Sequence, residues 1–152
     1  MDGMQRSVAK GRHSLIVQGQ PVVEWVARVN KHAGFLNAQG IGIERDGVLV
    51  GGVVFCDYQK VSVQIHVASD QTRQWVTRKW LHVIFDYAFR QLGVSKIIGI
   101  VPAGNTEAVN FDMRVGFVEE TRIKDVYPEG DAIVLEMTRG MCRWIDYERF
   151  PL

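Results

Sequence analysis

KIIGIVPAGNTEAVNFDMRVGF, residues 96–117, decides the fold of this chain. Its apolar opening, 96–101, reads as a buried strand, because a short continuous apolar run bounded by turn residues suits a strand covered on both faces. Asn105 then supplies a helix N-cap, a side chain able to accept from a backbone N–H that has no partner inside the helix. One amphipathic helix follows to Val115, and Gly116-Phe117 opens another strand.

Upstream, Val61, Val63, Ile65 and Val67 alternate with Ser62, Gln64, His66 and Ala68, the pattern of a half-buried strand with a core face and a polar face. Between Gln74 and Leu92, Val76, Trp80, Val83, Ile84, Tyr87 and Ala88 recur at helical spacing. Lys79, His82, Asp86 and Arg90 form the wet stripe, and Gly93 is the stop. Strand, helix and strand of this length make a right-handed parallel crossover. Earlier, residues 41–45 and 48–55 flank Asp46-Gly47, which predicts a type I′ hairpin whose central residues need φ > 0. Residues 14–18 read as a first strand, and Pro21 as the first turn of a helix to about Lys31, where its missing N–H would be unpaired anyway. Downstream, Gly130-Asp131 turns the chain into the run 132–138. Antiparallel hairpins on either side of one parallel pair give a mixed, mostly antiparallel sheet of six to seven strands, an α/β (α+β) domain with flanking helices.

A chain of 152 residues fits one domain with an ordinary core, since the buried share of unfolded surface reaches roughly 68–70% at this length. The tail, 141–152, turns aromatic and charged and reads as an element appended to a domain of residues 1–140. Trp144, Tyr147 and Phe150 there either pack on the domain or bridge to a second copy in a homodimer, and the sequence leaves both open. Formal net charge is +1 with acids and bases interspersed, which argues against a nucleic-acid surface. Cys56 and Cys142 make no disulfide framework, and neither they nor His13, His32 and His82 show metal-ligand spacing. A reducing, cytoplasmic setting is the expectation. The N-terminal residues lack the apolar segment of a secretion signal, and no uninterrupted apolar run reaches the ~18 residues of a membrane span, so no membrane partner is expected.

The order and spacing around residues 105–117 resemble the acyl-CoA-binding core of the GNAT superfamily of N-acetyltransferases. Asn105, Ala108, Gly116 and Phe117 occupy that family's Asn, small-residue and Gly-Phe positions. Elements from about residue 41 to 139 fall in the family's order, and residues 118–139 are similar to the branch that acetylates ribosomal-protein N-termini. The resemblance implies transfer of an acetyl group from acetyl-CoA to a primary amine, whether a protein N-terminus, a lysine or a small amine. The alternative is a non-catalytic acyl-CoA-binding or protein-interaction module on the same fold, since fold does not settle function.

By the same resemblance, the strands at 61–68 and 97–101 splay apart and the pantetheine arm of the co-substrate lies in the gap, with Val67, Ala68, Asn105 and Phe111 as binding residues. The pyrophosphate falls near residues 69–73 and the following helix start, where unpaired N–H groups favour phosphate. Arg73, Gln74, Trp75 and Arg78 are the implied contacts there. This loop, DQTRQWVT, departs from the family's glycine-bearing pattern, and Arg73 and Arg78 are the residues placed to compensate with charge-assisted bonds. His66, on the polar face beside the expected splay, is the candidate general base or water relay, because imidazole titrates in the useful range. A backbone N–H near Val67 is the expected oxyanion donor. Where the family carries a Tyr that protonates the departing thiolate, this chain has Asp112, which is expected on the surface of its helix. An ionised Asp donates no proton, and only burial would raise its pKa enough for that role.

Overall fold

The computed structural model describes residues 5–8, 14–72 and 76–145. In chain order the strands are β1 (Gln5–Val8), β2 (Ser14–Gln18), β3 (Gln39–Arg45), β4 (Val48–Cys56), β5 (Ser62–Ser69), β6 (Lys96–Pro102), β7 (Val118–Tyr127) and β8 (Gly130–Thr138). They form one sheet of eight strands in the order β1-β2-β3-β4-β5-β6-β8-β7. Among the described strands only β5 and β6 run parallel. The class is the expected one. The short edge strand β1, whose Gln5 pairs with Gln18, takes the sheet beyond the expected six to seven strands.

Local chemistry accounts for the elements. Asp46 and Gly47 have φ of 52° and 82°, the signature that the β3–β4 hairpin turn requires. Helix α1 (Gln20–Val29) carries Pro21 in its first turn. Helix α2 (Arg78–Asp86) begins later than its apolar periodicity suggested, because Thr77 caps it by accepting from the Trp80 N–H at 3.1 Å. It runs on through a π-helical turn, Tyr87–Gln91, until Gly93 adopts φ of 74° and stops it. Helix α3 (Thr106–Val115) is capped by Asn105, whose Oδ1 accepts from the Ala108 N–H at 3.2 Å.

The helices cover opposite faces of the sheet. On one face Val63, Ile65, Ile97, Leu135 and Met137 pack with Trp80, Ile84, Phe85 and Phe89 of the α2 segment and Val115 of α3. Each such fully buried apolar side chain is worth roughly 1.5–3 kcal/mol of transfer free energy. On the other face Val22, Val23 and Val26 of α1 pack on Val17, Val54 and Ala68. This approach is close, since a Cβ at Gly40 would lie 2.9 Å from both Val22 Cβ and Val23 N.

After β8 a 3-10 turn, Arg139–Met141, leads the chain back across α2 and α3. The Trp144 indole donates to the Val115 carbonyl at 2.8 Å, and His82 Nδ1 donates to the Trp144 carbonyl at 2.7 Å. Trp144 therefore packs on the domain, while Tyr147 and Phe150 lie outside the described residues. No helix among the described residues is long and apolar enough to cross a membrane.

Candidate active site

The sheet is open at its parallel pair. β5 and β6 pair at Ser62↔Lys96, Val63↔Ile97, Gln64↔Ile98 and Ile65↔Gly99, and pairing ends there although β5 continues to Ser69 and β6 to Pro102. Beyond that point each strand stays registered on its outer neighbour, Ser69 with Gly51 of β4 and Pro102 with Ala132 of β8. The two strands thus separate without losing their outer ladders. Their inner edges present backbone N–H and C=O groups to a gap, and such groups need partners. One is met within the chain: Asn30, at the C-cap of α1, donates its Nδ2 to the Val67 carbonyl at 2.9 Å.

A cavity of about 630 Å³ occupies this gap and reaches both faces of the sheet. His66 and His32 line it on the α1 side, and Val67, Leu81, Phe111 and Asp112 on the α2–α3 side. The division follows from strand alternation, since Ile65 points to the α2–α3 core and Ala68 to the α1 core.

Neither the protein-family models nor the curated proteins include a match to this chain. Solved structures do match. A spermidine N-acetyltransferase from Vibrio cholerae superposes with a TM-score of 0.66 at 15% identity, covering 91% of this chain and 99% of its own. A ribosomal-protein-S5-alanine acetyltransferase from Vibrio fischeri gives 0.66 at 12% identity, with coverage of 94% and 99%. An N-acetyltransferase from Campylobacter jejuni, in a crystal structure containing acetyl coenzyme A, gives 0.54 at 15% identity and covers 76% of each chain. The chain has the GNAT acetyltransferase fold. At these identities the likeness carries the architecture, and the chemistry rests on this chain's own residues.

Within the GNAT fold, five of the expected site residues meet at the cavity: His66, Val67 and Ala68 from β5, Asn105 from the cap of α3, and Phe111 from α3. Arg78 stands exposed at the first residue of α2 and is not part of the cavity lining. Arg73, Gln74 and Trp75 lie outside the described residues. Just before them, Asp70 Oδ1 accepts from the Thr72 N–H at 2.9 Å and the Thr72 hydroxyl at 2.6 Å, and Gln71 takes φ of 74°. An Asx turn thus shapes residues 70–72.

His66 sits in an aromatic cluster that the sequence did not disclose. Its ring centroid is 5.5 Å from His32 and 4.7 Å from Phe35, and those two rings stack at 4.0 Å. The Gly34 N–H donates to His32 Nδ1 at 3.0 Å, so the neutral His32 ring carries its proton on Nε2. Burial and the neighbouring His32 push the His66 pKa down to about 4, against an opposing pull from Asp57. At neutral pH His66 is uncharged and can accept a hydrogen bond.

Asp112 is the main correction to the sequence expectation. It is buried, at 5% relative exposure, not on the surface. Ala108, Phe111, Asp112 and Val115 follow one another at i, i+3, i+4 and i+7, and this stripe faces inward. Its helical phase, readable in the sequence, outweighs its charge. Burial raises the Asp112 pKa to about 7. Among the described residues no hydrogen-bond donor meets the carboxyl group. A Cβ placed on Gly99, the last paired residue of β6, would lie 3.9 Å from Asp112 Oδ2 and 3.9 Å from Ile65 Cγ2. The carboxyl therefore stands over the point where the strands part.

Cys56 is buried beside Asp57, and burial pushes its thiol up to about 11, which fits a core residue and not a nucleophile. Among the described residues no three His, Cys, Asp or Glu side chains gather to hold a metal ion.

Proposed function

We propose that this protein transfers an acetyl group from acetyl-CoA to a primary amine by direct attack. The observation that carries this reading is the gap between β5 and β6: an extended chain with amide groups can pair with the exposed strand edges there, as an added strand does. The cavity is roomy enough for such an arm, and both flanking strands are held rigidly by their outer ladders. Val67, Ala68, Asn105 and Phe111 are the residues that would hold the arm. Arg73, Gln74, Trp75 and Arg78 are assigned to the phosphate end.

When bound, acetyl-CoA supplies an activated thioester carbonyl. The protein's part is to position an amine, manage protons and stabilise the oxygen of the attacked carbonyl, for which the backbone N–H groups of β5 near Val67 are the donors. An amine must arrive uncharged. An α-amine, with a pKa near 8, meets this condition at neutral pH more readily than a lysine near 10.4, so a protein N-terminus or a small amine of low basicity is the favoured acceptor. His66, neutral but of weak basicity, accepts a hydrogen bond from the amine or from a bridging water and passes the proton on to solvent.

A second reading, a non-catalytic acyl-CoA-binding or protein-interaction module, is favoured by the Asn30 bond, which already satisfies the Val67 carbonyl without any ligand. One experiment separates the two. Thermal unfolding is followed with acetyl-CoA and with free CoA, and the same protein is assayed for acetylation over a panel of peptides with free N-termini, lysine peptides and small amines. At ~100 times the dissociation constant, a real site stabilises the fold by about 2.7 kcal/mol. Stabilisation with turnover is the expected result. Stabilisation without turnover on any amine favours the binding module, and no stabilisation by either ligand removes the cofactor assignment.

A further inference from the structure

We propose that the α1 side of the cavity is an acceptor site for a primary amine that carries a carboxylate close by. Lys31 and His32 hold the carboxylate while the amine faces the gap between β5 and β6. The proposal rests on the acetyl-transfer reading above and names the class of amine it serves. Its basis is how charge and hydrogen-bonding groups are distributed over the two sides of one cavity.

With its phosphate end assigned to the start of α2, the coenzyme enters along the α2–α3 side and its arm closes that opening. The amine is left the α1 side. Among the described residues the wall there comes from the end of α1 and the turn after it, Asn30, Lys31 and His32, and from His66 on β5. Lys31 is its one permanent charge. The carboxylates of the lining, Glu107 and Asp112, both belong to α3 on the other side. Asp57 acts on His66 more weakly than His32 does and is not part of the lining.

Each of the three groups after Val29 has a hydrogen-bonding function left for a ligand. Lys31 sits at φ of 53° in the turn that ends α1, and no carboxylate among the described residues pairs with it. His32 is held in place by its stack on Phe35 at 4.0 Å and by the Gly34 N–H at its Nδ1, which leaves the Nε2–H as a donor on the wall. Asn30 is held by the Val67 carbonyl. Since a carbonyl only accepts, the Asn30 atom bonded to it is Nδ2, and Oδ1 remains beside the gap to accept from an amine N–H.

An ammonium and an imidazole N–H side by side suit a carboxylate, because charge-assisted bonds are the stronger ones. A polyamine fits poorly. It would bring a second ammonium toward Lys31 with no carboxylate on that wall to offset the repulsion.

The test compares kcat/KM, corrected to the neutral amine, for three peptides that differ only in their first residue, Asp, Asn or Lys, with free aspartate and spermidine alongside. Asp and Asn share one shape, so their ratio reads charge. The wild type should prefer the Asp peptide over the Asn peptide by ~3–5-fold, the size of one exposed ion pair, and over the Lys peptide by more. The preference should lie in KM and shrink in roughly 0.5 M salt. Lys31→Gln should bring the Asp and Asn peptides level, and Lys31→Glu should reverse the order of Asp and Lys; both should melt with the wild type, since Lys31 is exposed. Turnover of free aspartate beside the Asp peptide supports the site with a small-molecule source, and turnover of the peptide alone supports it with a protein source. Equal rates for the Asp and Asn peptides, a preference for the Lys peptide or spermidine, or turnover only of amines outside these five overturns the carboxylate site while acetyl transfer stands. A wild type that acetylates nothing overturns acetyl transfer, and this site with it.

Discussion

Asp112 and His66 face one cavity from opposite sides of the sheet, and burial moves their pKa values in opposite directions along the pH scale. For Asp112 the folded pKa, about 7, exceeds the ordinary 3.8, so folding favours the protonated form. Its contribution to stability is fully present below pH 3.8 and is lost as pH rises to about 7. For His66 the folded pKa, about 4, lies below 6.5; its contribution is present above pH 6.5 and is lost as pH falls to about 4. Asp112→Asn is therefore expected to be more stable than the wild type at pH 8, by up to roughly 3–4 kcal/mol, with the difference shrinking toward pH 4. Urea midpoints at pH 4, 6 and 8 measure this, and a difference that grows on acidification would contradict the burial assignment. The helical phase of Asp112 is legible in the residue spacing, but the meaning of that phase is not, because the protonation of a carboxyl on an inward stripe depends on the packing around it. His32 and Phe35 carried no comparable signal. They reach His66 from a loop more than thirty residues away in sequence, and only the tertiary fold joins them.

Among the elements, α2 and α3 set the edges of the site through their first residues. Thr77 satisfies an N–H at the start of α2, just after the loop that carries Asp70 and Thr72, and Asn105 does the same for α3 while lining the cavity. Replacing either by Ala should cost about 1 kcal/mol of stability. The two are expected to differ in binding: Asn105→Ala should weaken acetyl-CoA as well, whereas Thr77→Ala should act mainly on stability. Calorimetric titration set beside thermal unfolding distinguishes them, and equal loss of affinity in both variants would argue that Asn105 is a cap and nothing more. The strands and helices themselves were legible because their cues are local: the Asp46-Gly47 turn, the Thr/Asn caps, and the alternation in β5. The start of α2 was misplaced because apolar periodicity does not show where a capping side chain will end the loop.

Across the whole molecule, the returning chain at residues 142–145 ties α3 to α2. Trp144 holds the Val115 carbonyl with its indole and receives His82 at its own carbonyl, and its ring lies under the Arg143 guanidinium at 4.6 Å. Trp144→Ala should destabilise the fold by ~2–4 kcal/mol through lost packing and the orphaned Val115 carbonyl. It should also loosen the α3 side of the cavity, so that acetyl-CoA affinity falls with the melting temperature; a variant that melts with the wild type would show that this segment is only draped on the surface. At this scale the sequence determined the order of elements, the single parallel crossover and the resemblance to the GNAT fold, because turn chemistry, capping and hydrophobic period act over a few neighbouring residues. The tertiary structure alone decided that β5 and β6 part after Ile65 and Gly99, that Asn30 takes the Val67 carbonyl, and that Asp112 is buried over the opening. Each of these depends on where distant segments pack and on what dielectric they create, and neither quantity is written in local sequence.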